Sequence, residues 1–132
     1  MPYILDSDVV IYYLNESVDS ERHVNRLMLE GIAISTITLM EVLAGISTSP
    51  DPSEAHARIE DLAHQIPVLP FAEPEARRCA ALRRTLQRRG LRVRSRLLDL
   101  MIAATAIEHG LMQVTNDGSD YRGIPDLLIE TP

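Results

Sequence analysis

The chain has no lysine, no tryptophan, one cysteine and one phenylalanine in 132 residues. Each shortage excludes something. The lone Cys79 cannot close an internal disulfide, which agrees with a reducing compartment and leaves the fold to its core. Its setting among alanines reads as packing. With one phenylalanine and four tyrosines, few flat side chains are available for nucleobases to stack on, so recognition through many aromatic platforms is not supported. No unbroken apolar stretch is long enough for a transmembrane helix, and the acidic start lacks the basic segment and small-residue cleavage site of a secretory signal. The expectation is a cytoplasmic protein with no membrane partner.

What is present fits one globular domain over residues 1–132, since 45% of the residues are hydrophobic at a length that can bury a proper core. The net charge of -6 is unevenly placed. The stretch RRCAALRRTLQRRGLRVRSR, residues 77–96, holds nine arginines and no acid, and the rest of the chain is strongly acidic. Such a local basic tract is a candidate for binding phosphates, or simply a solvated helix face.

Apolar runs alternate with helical patterns, the sign of βαβ units and a mostly parallel sheet. Five strands are expected, at Tyr3 to Leu5, Gly31 to Ser35, Ile66 to Leu69, Leu111 to Thr115 and Leu127 to Glu130. Helices are expected at Asp8 to Leu14 and at about Ser20 to Glu30, the second closed by Gly31. In STITLMEVLAGI, Leu39, Val42, Leu43 and Ile46 recur at helical spacing. Ser53 precedes a helix from Glu54 to Gln65, and another runs from about Glu73 to Arg89. These two are the more polar, exposed pair. The helix from about Leu97 to His109 is apolar all round and belongs against a sheet.

Carboxylates in apolar surroundings demand an explanation, because burying an unpaired one costs several kcal/mol. Asp99 is the only charge between Leu97 and Ile107; a first-turn acid favoured by the helix dipole is the ordinary alternative. Glu41 lies off the stripe of Leu39, Val42, Leu43 and Ile46, so it reads equally as a surface glutamate. Asp6 follows the first strand, where Asp8 can start the next helix. Asn116, Asp117 and Asp120 follow the fourth, in a segment that is also ordinary turn chemistry. Ligands of an open parallel sheet gather outside the carboxyl ends of its strands, and these places converge there. Acids so crowded would repel one another without a cation, and hard oxygen ligands without Cys or clustered His suit Mg²⁺ or Mn²⁺ rather than zinc. The four histidines are scattered.

DSDVV also fits the D-x-D-x-[TV] pattern of haloacid-dehalogenase phosphatases, in which Asp6 would attack phosphorus and Asp8 serve as acid and base. Those enzymes generally use a basic residue, usually lysine, to stabilise the phosphoaspartate, and this chain has none. A receiver domain fails too, because it expects a lysine and an acceptor aspartate after the third strand, where this chain has LPFAEP.

LDSDVVIYYL, then STITLMEVLAG, then LLDLMIAATAIEHGLMQVTNDGSDYRGIPDLLI together resemble the PIN-domain nucleases, specifically VapC-type toxins of bacterial toxin–antitoxin pairs. The resemblance spans essentially the whole chain, in order. It implies a three-layer α/β/α sandwich, an endoribonuclease dependent on Mg²⁺ or Mn²⁺, a homodimer, and a heterotetramer or larger assembly with a small VapB-like antitoxin. Asp6, Glu41 and Asp99 fall on the family's first three acids. The fourth is Asp117 or Asp120, with Asp117 favoured as the nearer ligand and Asp120 as support. Asp6, Asp99 and Asp117 are then the metal ligands, with Glu41 and Asp120 acting through water. Ser7 and Thr115 match supporting hydroxyl positions, though both also suit plain strand-end hydrogen bonding.

The implied chemistry is metal-assisted hydrolysis of RNA phosphodiester bonds, leaving 5′-phosphate and 3′-hydroxyl ends. An acidic centre repels RNA, so the backbone must be held elsewhere. Arg92, Arg94 and Arg96, alternating in an extended connection that enters the Asp99 helix, are the expected RNA contacts, and Cys79, Leu82 and Leu86 the packing face of the preceding helix. The exposed helix pair between Ser53 and Arg89 is the expected antitoxin groove. A catalytically silent PIN-like module that binds RNA or protein is the rival reading.

Overall fold

The computed structural model describes residues 2–15 and 18–131, with the side chain of Asp120 outside that description. Five strands, β1 (Tyr3–Leu5), β2 (Ile32–Ser35), β3 (Val68–Leu69), β4 (Met112–Val114) and β5 (Ile129–Glu130), form one sheet. Their order is β3-β2-β1-β4-β5 and every pairing is parallel. The central register sets Ile4 against Ala33 on one side and Gln113 on the other.

Among the described residues, six α-helices cover the sheet: α1 (Ser7–Leu14), α2 (Val18–Met28), α3 (Thr36–Gly45), α4 (Pro52–Gln65), α5 (Glu73–Arg88) and α6 (Leu97–Glu108). Alternation along the short strands divides the core. Leu5, Ile34 and Val114 pack with Val9, Val10 and Leu14 of α1, Val24 and Leu27 of α2, and Ile59 and Leu62 of α4. On the other side, Ile4 and Ala33 meet Ala106 of α6. Leu82 and Leu86 of α5 pack with Leu100, Ala103 and Ala104 of α6. The result is the expected three-layer α/β/α sandwich, and a parallel sheet so short is viable because both faces are covered. Among the described residues, no helix is long and apolar enough to cross a membrane.

Several boundaries differ from the sequence reading for physical reasons. α1 starts at Ser7 because Asp6, not Asp8, caps it. α4 starts at Pro52, with the Asp51 carboxylate, not Ser53, accepting the Glu54 N–H; proline fits the first turn because it has no N–H to leave unpaired. Gly31 ends α2 as expected: its N–H reaches Leu27 O at φ 111°, a conformation side chains resist. The connection before α6 is not extended, since Arg94–Arg96 form a 3-10 turn. The α4 and α5 helices belong to opposite layers, so they do not form the single groove expected for an antitoxin.

The chain leaves β1 for β2 and β3 on one side, then returns to place β4 on the other side of β1. The crevice at the carboxyl ends of β1 and β4 is therefore the switch point of the sheet. Asp6 follows β1 directly, and Thr115 to Asp117 follow β4.

Candidate functional site

Asp6 accepts three hydrogen bonds in this crevice. Its Oδ1 accepts the Ser7 N–H at 2.8 Å, while Oδ2 accepts the hydroxyls of Thr115 at 2.8 Å and Tyr121 at 2.9 Å. It is 6% exposed. Burial raises its pKa above the ordinary value and the charge of Glu41 adds to that, against the lowering effect of these hydrogen bonds. Its place at the N-terminus of α1 also favours negative charge.

The Tyr121 hydroxyl also lies 3.2 Å from Asp99 Oδ1, so one side chain bridges the acids of β1 and α6. Tyr121 is 2% exposed, and burial followed by the charges of Asp6 and Asp99 drives its pKa far above the ordinary phenol range. It remains a proton donor at any working pH. The sequence reading missed Tyr121, because an aromatic residue inside NDGSDYRG looks like part of a polar turn. The available signal was its position just after the turn, ahead of the apolar IPDLLI.

Thr115 ties the fourth strand to the same point. Fully buried, it donates to Asp6 and accepts the Asp117 N–H at 3.2 Å. Asp117 itself is exposed and accepts the Ser119 hydroxyl at 2.6 Å. Asp120 is the one predicted site residue whose side chain lies outside the described set.

Glu41 enters from α3. The Ser7 hydroxyl donates to its Oε1 at 2.6 Å, joining the α3 acid to the residue beside Asp6. The stripe read from sequence holds at Val42, which is buried, and at Leu39 and Ile46, which pack partly buried against the core; Ile37 and Thr38 are buried as well, whereas Leu43 is 39% exposed. Glu41 lies one turn beyond Ile37 and Thr38, at the edge of that buried face, and is half-buried. Asp8, in the first turn of α1, lies near the backbone N–H groups of Val9 and Asn116, which favour its charged form. Burial, then the charge of Asp6, with a smaller push from Asp117, raises it to about 6, and its Oδ1 is buried without a hydrogen-bond partner among the described residues.

The structure thus joins Asp6, Ser7, Glu41, Asp99, Thr115 and Asp117 through hydrogen bonds or a shared hydroxyl. Among the described residues, no three acids, histidines or cysteines are drawn together tightly enough to enclose a cation. The donor chemistry nevertheless fits a hard divalent ion: the groups are oxygens, two of the carboxylates resist ionisation where they stand, and one oxygen of Asp8 lacks a partner among the described residues. Of the three expected RNA contacts, Arg92 and Arg94 are exposed and line a cavity of about 550 Å³ with Arg83. Arg96 departs from them. It is half-buried, with Nε and Nη2 enclosed and unpartnered among the described residues.

Residues 3–123 match the PIN domain family. The chain belongs to that family. Two relatives cover almost all of it: Ribonuclease VapC2 of Rickettsia felis is 29% identical, over 98% of this chain and 97% of the relative. The tRNA(fMet)-specific endonuclease VapC of Salmonella typhimurium is 30% identical over the same shares. The crystal structure of VapBC2 from Rickettsia felis, bound to a DNA fragment from its promoter, superimposes with a TM-score of 0.86 at 28% identity, covering 100% of this PIN domain and 99% of that chain.

Proposed function

We propose that this PIN domain is a divalent-metal-dependent endoribonuclease of the cytoplasm, the toxin of a toxin–antitoxin pair. The observation that carries the reading is the junction at Tyr121, whose single hydroxyl brings acids from β1 and α6 together at the switch point of the sheet. Asp6, Asp99 and Asp117 would hold Mg²⁺ or Mn²⁺, with Glu41 and Asp120 acting through water. Such an ion, when bound, supplies Lewis acidity and offsets charge on the phosphoryl oxygens.

The chain's own groups do the rest. Tyr121 and Thr115 fix Asp6, and Ser7 fixes Glu41 as acceptor for the proton of an attacking water. The water oxygen bonds to phosphorus as the bond to the 3′-oxygen breaks, so the products carry 5′-phosphate and 3′-hydroxyl ends. Exposed Arg92 and Arg94 would hold backbone phosphates away from the acids. Whole-length similarity to a ribonuclease and to a tRNA(fMet)-specific endonuclease supports hydrolysis of RNA, and similarity to a VapBC complex supports an antitoxin partner.

One observation favours a second reading, a PIN-like module that binds RNA without cutting it: the acids do not close around a point among the described residues. Purified protein incubated with Mn²⁺ and structured RNA separates the two. Cleavage that falls at least about 100-fold in Asp6→Asn and Asp99→Asn, with folding intact by circular dichroism, supports the nuclease. RNA binding without cleavage under any metal condition supports the silent module.

A further inference from the structure

Beside the acid cluster lies a cavity of about 560 Å³ that the proposed reaction does not use. It is lined by Asp19, Ser20, Arg22, His23 and Arg26 of α2 and by Asn116 after β4. Every lining residue is polar, so its occupant is polar as well. Its volume falls in the range of about 300–1,000 Å³ typical of pockets for single small ligands.

Two features tie the cavity to the cleft. Asn116 stands between Thr115, which bonds Asp6, and Asp117, whose N–H Thr115 accepts, and its backbone N–H lies near the Asp8 carboxylate. Any group seated there is next to whatever the acids act on. Secondly, the basic wall is ordered from within the helix. The Arg26 guanidinium lies with Nη2 2.8 Å from His23 Nδ1. An arginine can only donate, so Nδ1 accepts, which leaves His23 neutral with its proton on Nε2. Burial and the Arg26 charge, in that order, lower the His23 pKa and act in the same direction. Arg22 is exposed one turn earlier, with no hydrogen bond to any described residue. The cavity therefore offers one braced guanidinium and one without a hydrogen bond to any described residue, with the Asp19 carboxylate and Ser20 hydroxyl on the same helix and the Asn116 amide from the loop after β4.

We propose that this cavity seats the single-stranded RNA nucleotide adjoining the scissile phosphate, Arg22 and Arg26 taking its phosphodiester oxygens and Asn116 reading the polar edge of its base. Unpaired bases are read through such polar edges, while guanidinium groups match phosphate oxygens. The assignment rests on the nuclease reading for the position of the cut, but not for binding. It adds a second basic wall, on α2, to the one that Arg92 and Arg94 form before α6.

The test uses the full chain and a short fluorescein-labelled single-stranded RNA. In EDTA, binding is followed by anisotropy over a range of salt concentrations for the wild type, Arg22→Gln and Arg22→Gln/Arg26→Gln. Each arginine that neutralises a phosphate contributes about 0.7 to the slope of log K against log salt on a single strand. The expected result is a slope smaller by that amount in the single variant and by twice as much in the double variant, with affinity at least about tenfold weaker in the latter. With Mn²⁺, the loss falls on KM rather than kcat, and Asn116→Ala changes the preferred nucleotide at one position beside the cut. Arg22 is exposed and has no hydrogen bond to a described residue, so Arg22→Gln is expected to fold and the result survives even if the double variant folds poorly. Unchanged slope and affinity in Arg22→Gln and in a folded double variant would overturn the proposal. A wild type that cleaves nothing while the slopes still fall removes the nuclease reading and keeps the cavity; cleavage with unchanged slopes does the reverse.

Discussion

Burial pushes the carboxyl of Asp8 up to about 6, and the charges of Asp6 and Asp117 push the same way. In the unfolded chain the group titrates at its ordinary value near 4. Between these two values the folded state binds more protons, so stability falls as pH rises through that window, and the penalty is complete above about pH 6. Asp8→Asn removes the charge while keeping the size and shape of the side chain. After discounting for solvent around a half-exposed group, the variant is expected to be more stable by about 1 kcal/mol at pH 7.5, a gain that vanishes near pH 4. Thermal melts at both pH values, without metal, measure it; an equal gain at both would assign the effect to packing. Asp99 was legible in the sequence because a lone charge in an apolar helix needs a reason. Tyr121 was not, because its burial is decided by α6 and β1, far away in the chain. Glu75 was missed as well: it is 5% exposed and accepts the Ala72 N–H at 2.9 Å, a helix-start bond that its place in the first turn of α5 could have suggested.

At the scale of elements, two helices with side-chain caps differ in what they carry. The Ser35 hydroxyl, fully buried, accepts the Thr38 N–H at 2.9 Å at the start of α3, the helix that presents Glu41. Asp51 does the same for Glu54 at 3.2 Å on α4, exposed and with no acid of the cleft. Ser35→Ala leaves a buried donor unpaired and is expected to cost about 2 kcal/mol, while Asp51→Ala costs about 1 kcal/mol. Urea unfolding reads both. Cleavage per folded molecule should drop only in Ser35→Ala, because only there does loosening the first turn move Glu41 from Ser7. Loss in both variants would mean that α4 positions the site too. The order and type of elements were readable because apolar periodicity differs between strand and helix. The turn at Arg94–Arg96 was not: alternating Arg and apolar residues mimic a strand, and only the packing of Val93, 4% exposed against Leu86 and Leu100, bends the chain.

For the whole molecule, the question is what covers the apolar side chains left outside. Ile11 and Tyr12 on α1, Met40 and Leu43 on α3, and Leu97 and Leu98 on α6 are between 37% and 52% exposed. These helices adjoin, α1 packing on α3 and α3 on α6. Soluble monomers rarely leave large apolar patches uncovered, and a symmetric pair buries the same patch twice. A homodimer formed there would set two acid clusters near each other, each copy carrying a net charge of -6. The pairing must then be driven by apolar area, and it should survive high salt, which screens the repulsion between copies. Light scattering on the eluting protein is expected to give twice the 14.7 kDa chain mass. Leu43→Glu, placing a charge in that area, should return the mass to a single chain without loss of helix content. A dimer that persists in Leu43→Glu and in Leu98→Glu, or one that dissociates as salt is raised, would place the contact on another face and leave these six side chains for a different partner.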